Sequence, residues 1–247
     1  MQKYLYKKTS KESYTIGVYT TIELLKARPE SVIEVILSSK GERNKGIHKI
    51  IELCKKNKTP LKYNDNLVGK LTRSDNNYAV AIFKKYSADP TKHDNHLVLI
   101  KPSDMGNTGT IIRSMTAFNL TSLIIIKPAV DIFDPKTVRS SMGSLFGIKF
   151  RYFDSFEDYL KGFENLSRPR HLYGFDVSGK KSLNDIKFEK PYSLIFGNEG
   201  EGFVEKIKEQ ITKSGELVKI PQNESVDSLN LSVAVGIALF KGFSEKN

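Results

Sequence analysis

The chain has 247 residues, of which 39% are hydrophobic and 27% are charged, and its formal net charge is +11. This composition supports a substantial core and excludes disordered, collagen-like, coiled-coil and low-complexity chains. No apolar run approaches the roughly 18 residues that a membrane span requires, and the basic start has no apolar segment behind it, so we expect a soluble, cytoplasmic protein.

The cysteine and histidine content argues against disulfides and metals. Cys54 is the only cysteine, which excludes an intrachain disulfide and every multi-cysteine zinc pattern. We expect its side chain to be a small buried apolar group. No metal site is expected, because none of the four histidines has the spacing of metal ligands. They are His48, His93, His96 and His171.

The first part of the chain has the pattern of a small α/β domain. Apolar residues recur at helical spacing or form short runs between polar turns. The predicted elements are a helix over residues 16–27, a strand over 31–39, a helix with Ile47, Ile50, Ile51 and Cys54 on one face, and strands near 60–63 and 78–83 around a short helix.

A second domain is expected after the polar segment Ser87–Asn95, which contains Pro90 and is predicted to be a linker. Apolar strands then alternate with helical stretches, which predicts a mostly parallel sheet with helices on both faces. Ligands of such sheets bind beyond the carboxyl ends of the strands. We therefore expect domains over residues 1–90 and 95–247, with strands in the second over 96–100, 122–126, 171–175, 192–196 and 216–220.

Charge is distributed unevenly between the two parts. Residues 1–94 contain 19 Lys or Arg and 10 Asp or Glu, whereas residues 95–247 contain 20 and 18. The N-terminal part is therefore expected to bind a polyanion. The alternative is that the proteome is lysine-rich and that this surface is merely solvated.

The segment GFDVSGKKS, Gly174–Ser182, nearly matches the phosphate-binding loop G-x-x-x-x-G-K-[ST]. Lys181 occupies the place of the hydroxyl that would hold magnesium, and Ser182 is one residue out of register. We interpret this segment as a turn between two elements.

Three other segments join the end of a predicted strand to a predicted helix. The loop FGNEGEGF, 196–203, has three glycines in six residues, which allow close approach of a ligand. Its order is not the dinucleotide fingerprint, and its two glutamates favour a neutral or cationic ligand. Segment 220–240 leads into a helix that is apolar almost all round from Leu229, which is typical of a core or subunit-interface helix. Segment 104–118 carries Asn107 and Arg113.

In this order, the sequences NTGTIIRS, FGNEGEG and IPQNESVDSLNLSVAVGI strongly resemble the three motifs of the SpoU, or TrmH-like, family of RNA ribose 2′-O-methyltransferases in the SPOUT superfamily. The segment VRSSMGSLF, 138–146, resembles the family's segment between the first two motifs, so the resemblance covers about residues 95–243. GVYTTIELLK is similar to the small ribosomal-protein-like substrate-binding domain of many members.

This resemblance implies that the C-terminal segment threads through a loop to form a trefoil knot, although protein connections are otherwise almost never knotted. It also implies that this region binds S-adenosylmethionine and forms a homodimer. The cofactor-binding residues implied by position are Gly197, Asn198, Ile220, Pro221 and Leu229. The implied catalytic set is Asn107, Arg113, Glu199, Ser228 and Asn230.

Three positions depart from the family pattern. Gln222 and Glu224 stand where relatives commonly have methionine and then glycine, and Met115 replaces a small residue. We expect the cofactor loop to be shaped differently, with the effect on cofactor affinity left open.

The methyl transfer implied by the family requires alignment of the ribose hydroxyl and removal of its proton. Family proposals make Arg113 the base, although a guanidinium with a pKa above about 12 is normally charged. The alternative is that Arg113 binds a phosphate and stabilises the developing alkoxide. Asn107 and Glu199 are interpreted as hydrogen-bonding supports for the loops.

A 2′-hydroxyl target implies RNA as the partner, with the basic N-terminal domain contacting phosphates. The accessory domain favours ribosomal RNA over transfer RNA, and a role in resistance to a ribosome-directed antibiotic is a narrower alternative. A non-catalytic RNA-binding ribosome assembly factor is the alternative from another class, which the intact polar set argues against.

Overall fold

The computed structural model describes residues 6–73, 76–163 and 168–245. These residues form two compact units. Unit 1 consists of the described residues up to Tyr86 together with 108–113 and 131–147. Unit 2 consists of the described residues of 87–107, 114–130 and 148–247.

Eleven strands and eight α-helices are found in the described part of the chain. The elements before residue 87 belong to unit 1, and the later ones belong to unit 2 except for the helix at 135–140 and the middle of the helix at 105–117. In chain order they are β1 (Glu12–Tyr14), α1 (Val18–Ala27), β2 (Val32–Leu37), α2 (Lys45–Asn57), β3 (Leu61–Tyr63), α3 (Asp65–Thr72), β4 (Ala79–Lys84), β5 (His96–Ile100), α4 (Met105–Ala117), β6 (Ser122–Ile126), α5 (Pro135–Ser140), β7 (Lys149–Phe153), α6 (Phe156–Gly162), β8 (His171–Phe175), β9 (Lys181–Ser182), β10 (Tyr192–Phe196), α7 (Glu205–Lys213), β11 (Gly215–Lys219) and α8 (Leu231–Ser244).

Unit 1 is built on a four-stranded sheet in the order β1-β4-β2-β3, in which only β2 and β3 run parallel. The helical spacing around Cys54 is confirmed, because α2 buries Ile47, Ile50 and Cys54. Burial raises the pKa of the Cys54 thiol to about 11, so the side chain is an unreactive apolar group. Strand β1 is absent from the sequence prediction, since three residues are too few to show alternation.

Residues 131–147 pack onto the sheet of unit 1, although its strands lie much earlier in the sequence. The Ser13 hydroxyl donates a hydrogen bond to the Phe133 carbonyl at 2.5 Å. The Phe83 ring meets the rings of Phe133 and Phe146 edge-on, with centroids 6.0 and 5.4 Å apart. The motif-like segment 138–146 is therefore part of the core of unit 1.

Unit 2 is built on a seven-stranded, entirely parallel sheet in the order β7-β6-β5-β10-β8-β11-β9. All five residues of β5, β6 and β10 are buried, which is the expected pattern for strands covered on both faces. One face packs on α6 and α7 through a cluster that includes Ile124, Tyr159, Ile195 and Ile211. The predicted parallel α/β architecture is confirmed.

Strand β11 lies between β8 and β9. Val218 pairs with Phe175 of β8 on one side and with Lys181 of β9 on the other. Segment 174–182 thus leads from one strand into another, whereas a phosphate-binding loop leads into a helix, so its interpretation as a turn is confirmed.

The predicted linker Ser87–Asn95 contains no helix or named strand. Its second half is held to unit 2 by Arg170, whose guanidinium donates to the carbonyls of Lys92 and Asp94 at 2.8 Å. The Asp94 carboxylate accepts from Ser122 Oγ at 2.9 Å. These contacts fix residues 92–94 against the amino ends of the strands.

Candidate active site

A cavity of about 630 Å³ opens at the carboxyl ends of β8, β10 and β11 in unit 2. This volume lies within the range of cavities that bind cofactors and other small molecules, roughly 300–1,000 Å³. We call it the site cavity. It is lined by Asn107, Phe175, Asp176, Val177, Ser178, Phe196, Gly197, Asn198, Glu199, Gly200, Glu201, Gly202, Phe203, Lys208, Val218, Ile220, Gln222, Ser228, Leu229, Asn230, Leu231 and Ala234.

Aromatic and aliphatic side chains supply the apolar part of this lining. Phe175 and Phe196 end the adjacent parallel strands β8 and β10 and are paired in register. Their rings stack in parallel with centroids 4.5 Å apart. Val218, Ile220 and Leu229 add aliphatic surface. Such a surface suits a flat heterocycle, since offset stacking and burial of apolar area both favour it.

The loop between β10 and α7 closes tightly on itself. The backbone amides and carbonyls of Asn198 and Gly202 exchange two hydrogen bonds, of 3.2 and 3.0 Å. A Cβ atom on Gly197 would lie 2.5 Å from the carbonyl carbon of Gly202. The glycine at 197 is therefore required by the closure of the loop itself, and this closure exposes backbone to the site cavity.

Glu199 connects this loop to the loop that follows β5. Its carboxylate accepts hydrogen bonds from the amide of Ser103 at 3.2 Å, the hydroxyl of Ser103 at 2.8 Å and the amide of Asp104 at 3.3 Å. We call these contacts the Glu199 clamp. Partial burial alone would raise the pKa of Glu199, but the hydrogen bonds to its charged form outweigh burial and hold the pKa below the ordinary value. Glu199 is thus an ionised support for two loops.

The N-termini of α4 and α8 meet beside the cavity. Asp104 caps α4 by accepting a hydrogen bond from the Asn107 amide at 2.6 Å, and Asn230 caps α8 by accepting from the Ser232 amide at 2.9 Å. The Asn230 Nδ2 atom also donates to Asn107 Oδ1 at 3.2 Å. Two motif residues that are 123 positions apart in the chain are therefore in direct contact.

The loop 220–230 contains two of the departures from the family pattern. Gln222 lines the cavity and its side-chain amide donates to the Val226 carbonyl at 2.8 Å, which closes the loop on itself. Glu224 is exposed and does not line the cavity. The third departure, Met115, is fully buried in α4 and acts as a core residue.

Asp176 and Lys208 line the cavity but were not selected from the sequence. The Asp176 carboxylate accepts from Ser178 Oγ at 2.5 Å and pairs with the Lys208 ammonium at 3.1 Å. Burial alone would raise the pKa of Asp176, but these partners lower it. An Asp directly after a buried parallel strand was the available sequence signal, whereas the pairing with Lys208 depends on the tertiary fold.

Eight of the ten sequence-predicted site residues line the site cavity, and Pro221 and Arg113 do not. Arg113 is exposed on α4, six residues after Asn107. Because successive helical residues are rotated by about 100°, its side chain leaves α4 roughly 120° away from that of Asn107. Within unit 1, α4 packs closely on α5 just before Arg113, since a Cβ atom on Gly109 would lie 2.0 Å from Ser140 Oγ.

The lining fits S-adenosylmethionine. An apolar stacking surface suits the adenine, exposed loop backbone suits polar ribose and amino-acid groups, and three carboxylates against one ammonium suit a ligand with net positive charge. In the parts of the chain that the structure describes, no group of three or more His, Cys, Asp or Glu side chains could hold a metal ion. No described helix is long and apolar enough to cross a membrane.

The fold and site together define an α/β protein with a large parallel sheet and a cofactor-sized cavity, similar to SPOUT methyltransferases. The crystal structure of the SpoU methyltransferase AviRb from Streptomyces viridochromogenes in complex with the cofactor AdoMet matches 96% of this chain and 91% of its own, with a TM-score of 0.82 and 26% identity.

Residues 94–240 match the model of the SpoU rRNA Methylase family, and this chain belongs to that family. A 23S rRNA (uridine(2479)-2′-O)-methyltransferase of Streptomyces viridochromogenes is 33% identical over 161 residues, 64% of this chain and 55% of that protein. An uncharacterized tRNA/rRNA methyltransferase of Synechocystis is 33% identical over 145 residues, 59% of this chain and 51% of that protein. The chain thus spans about half the length of these two relatives.

Proposed function

We propose that this protein transfers a methyl group from S-adenosylmethionine to the 2′-hydroxyl of a ribose in RNA. The observation that carries the proposal is the contact between Asn107 and Asn230 beside the stacked Phe175 and Phe196 rings, because it joins the first and third family motifs at one cavity. The SpoU relatives and the AdoMet-bound structural neighbour support the same activity.

The cofactor, when bound, supplies a methyl group whose bond to the sulfonium breaks as the ribose oxygen attacks, leaving a neutral thioether. The loop around Asn198 offers backbone polar groups to bind it, and Phe175, Phe196 and Leu229 exclude water from its apolar part. The Glu199 clamp fixes the start of α4 relative to that loop. Asn107 and Asn230 present amide groups that orient the ribose hydroxyl.

The hydroxyl proton has to leave, and no histidine lines the site cavity. Both oxygens of Glu199 already accept hydrogen bonds, so this carboxylate serves as a support. Arg113 lies outside the lining of the site cavity, and it is the residue proposed from the family motif to act on the ribose oxygen, either as the base or as a cation that binds a neighbouring phosphate and stabilises the alkoxide. Arg113→Lys keeps the charge and loses the planar guanidinium, so substantial rescue favours simple charge stabilisation, and a complete loss favours a role that needs the guanidinium geometry.

The homodimer is part of the proposal. Val233, Ile237 and Phe240 recur at helical spacing on α8 and are 49%, 36% and 59% exposed. Phe118 continues this apolar face, with its ring centroid 6.0 Å from that of Phe240. An exposed apolar stripe on a helix that buries most of its other apolar residues favours burial against a second copy of this chain.

The trefoil knot is also proposed. It is supported by the position of β11 between β8 and β9, two strands joined by only five residues. A Cβ atom on Gly179, in that short connection, would lie 2.6 Å from the backbone of β11 at Lys219. A C-terminal strand held so closely inside an earlier connection is the arrangement that a threaded chain would give.

Ribosomal RNA is favoured over transfer RNA as the substrate, and the cytoplasm is the proposed site of action because such RNA is found there. We propose that residues 1–90 bind RNA phosphates and that residues 95–247 carry the cofactor site. Exposed lysines on α2, including Lys45, Lys55 and Lys56, support this division of roles.

Methyl transfer in vitro tests the proposal. The purified protein is incubated with methyl-labelled S-adenosylmethionine and deproteinised ribosomal or transfer RNA from cells that lack the gene, and the RNA is digested to nucleosides. Label in a 2′-O-methylated nucleoside from ribosomal RNA is expected. Label confined to a base, or no label in either RNA, would contradict the proposal.

A further inference from the structure

Lys101 has a left-handed backbone conformation directly after a β-strand. Five non-glycine residues of the described chain have a positive φ, and four of them follow the last turn of a helix, where this conformation is common. These four are Lys58, Arg73, Asn119 and Met142. Lys101, with a φ of 50°, instead follows strand β5. Left-handed backbone at such a position disfavours a side chain like lysine and is enriched at functional sites.

Two hydrogen bonds hold Lys101 in this conformation. Its amide donates to the Ile126 carbonyl at 3.0 Å, and its carbonyl accepts from Asn198 Nδ2 at 2.8 Å. Asn198 lines the site cavity. The backbone of Lys101 is thus hydrogen-bonded directly to the loop 197–204. It lies at the carboxyl end of β5, the strand that precedes α4 and Asn107.

Three loops that border the site carry mostly acidic charge. The sequence of the loops 101–104, 197–204 and 220–230 contains five acidic residues and a single basic residue, Lys101. The Lys101 side chain is exposed, and its ammonium forms no ion pair with another described residue. Acidic loops repel an RNA backbone, so a phosphate near this edge requires a cation.

We propose that Lys101 binds an RNA phosphate that flanks the ribose being methylated. This inference rests on the proposed function, because it assigns a substrate contact to the same site. A ribose placed beside Asn107 has a phosphate on each side, and the loop after β5 lies on the side away from the cofactor-lining ends of β8 and β11. The phosphate contact orients the nucleotide, and Lys101 takes no part in the chemical step.

The salt dependence of RNA binding tests this role. Wild type, Lys101→Gln and Lys101→Arg are compared as full-length proteins for filter binding of deproteinised ribosomal RNA in about 50–200 mM KCl. A lysine that neutralises one phosphate contributes about 0.7–0.9 to the slope of log affinity against log salt. Lys101→Gln is expected to lower this slope by that amount and affinity by about three- to tenfold, whereas Lys101→Arg keeps both.

Two further variants separate charge from loop geometry. Lys101→Gly accepts the positive φ and removes the charge, so RNA binding should fall as in Lys101→Gln while S-adenosylmethionine affinity stays unchanged. Lys213→Gln makes the same charge change at the exposed C-terminal end of α7, which lies at the amino ends of the strands. It should lower RNA affinity and the salt slope less than Lys101→Gln does.

Equal slopes for wild type and Lys101→Gln, or equal effects of Lys101→Gln and Lys213→Gln, would overturn the inference. A loss of cofactor affinity in Lys101→Gly that matches the loss of RNA affinity would overturn it as well, because it would assign a loop-shaping role. Methyl transfer by the wild type is measured separately, so a failure of the proposed activity is distinguishable from a failure of the Lys101 contact.

Discussion

Glu199→Gln tests whether the Glu199 clamp shapes the cofactor site. The wild-type carboxylate accepts three hydrogen bonds, two from Ser103 and one from the Asp104 amide. A glutamine keeps one oxygen acceptor for Ser103 but directs its NH₂ group toward the Asp104 amide, so two donors would face each other. The substitution therefore removes the charge and at least one hydrogen bond while it preserves the shape of the side chain.

The expected magnitude follows from the exposure of the site. A hydrogen bond to a charged group contributes about 1.5–3 kcal/mol net, and the lower end applies because water reaches the half-buried Glu199. About 1.5 kcal/mol lost from the contact between the two loops corresponds to roughly tenfold weaker cofactor binding. Glu199→Ala, which removes all three acceptor contacts, should weaken binding further.

The pH dependence of the clamp has a definite sign. Because hydrogen bonds lower the folded-state pKa of Glu199 below its ordinary value of 4.5, the stabilisation is present above 4.5 and is lost as the pH falls through the folded-state value. The clamp is therefore expected to hold throughout the neutral range.

Isothermal titration with S-adenosylmethionine measures this effect, with unfolding by urea as the check on global stability. Glu209→Gln, an exposed change on α7, is the matched control. Wild-type cofactor affinity in Glu199→Ala, with the same unfolding midpoint, would refute the assignment of Glu199 as a support for the site.

Three further substitutions give separate tests. Gly197→Ala places a Cβ atom 2.5 Å from Gly202 and should abolish cofactor binding in titration calorimetry. The control Gly69→Ala should leave binding unchanged, because no atom lies within 4 Å of its added Cβ. Normal binding by Gly197→Ala would show that the loop can open without a loss of cofactor affinity. Ile237→Asp puts a charge in the exposed stripe of α8 and should give a monomer in sedimentation, and a wild type that is monomeric at micromolar concentration would refute the dimer. Arg113→Ala should lower turnover by roughly a hundredfold or more with cofactor affinity unchanged, and wild-type turnover would remove Arg113 from the catalytic set.

Four inner strands of unit 2 could be predicted from the sequence to the residue, whereas the predicted span 216–220 is shifted by one residue from β11. The predicted spans 96–100, 122–126, 171–175 and 192–196 coincide with β5, β6, β8 and β10. Three of these strands, β5, β6 and β10, are buried at every position, and such apolar runs have sharp ends in the sequence. Edge strands were missed. β7 carries the exposed Arg151 and a half-buried Tyr152, and the two-residue β9 exists only through its pairing with β11.

Cavity-lining residues within the sequence motifs could be predicted, whereas those that depend on tertiary contacts could not. The order of the three motifs along the chain predicts that Asn107, Gly197 and Asn230 belong to one site, and all three line the cavity. Lys208 could not be found in this way, because its partner Asp176 lies 32 residues away across a connection whose path the sequence does not reveal. The strained backbone of Lys101 likewise becomes visible only when φ is known.

Ribose methylation mapped across the total RNA of cells tests the proposed activity most directly. Three strains are compared: one with the gene, one without it, and one that carries the Arg113→Ala allele at the same protein level. We expect a 2′-O-methyl group at one or a few positions of ribosomal RNA in the first strain and its loss in the other two. Identical methylation maps in all three strains would contradict the proposed methyltransferase activity.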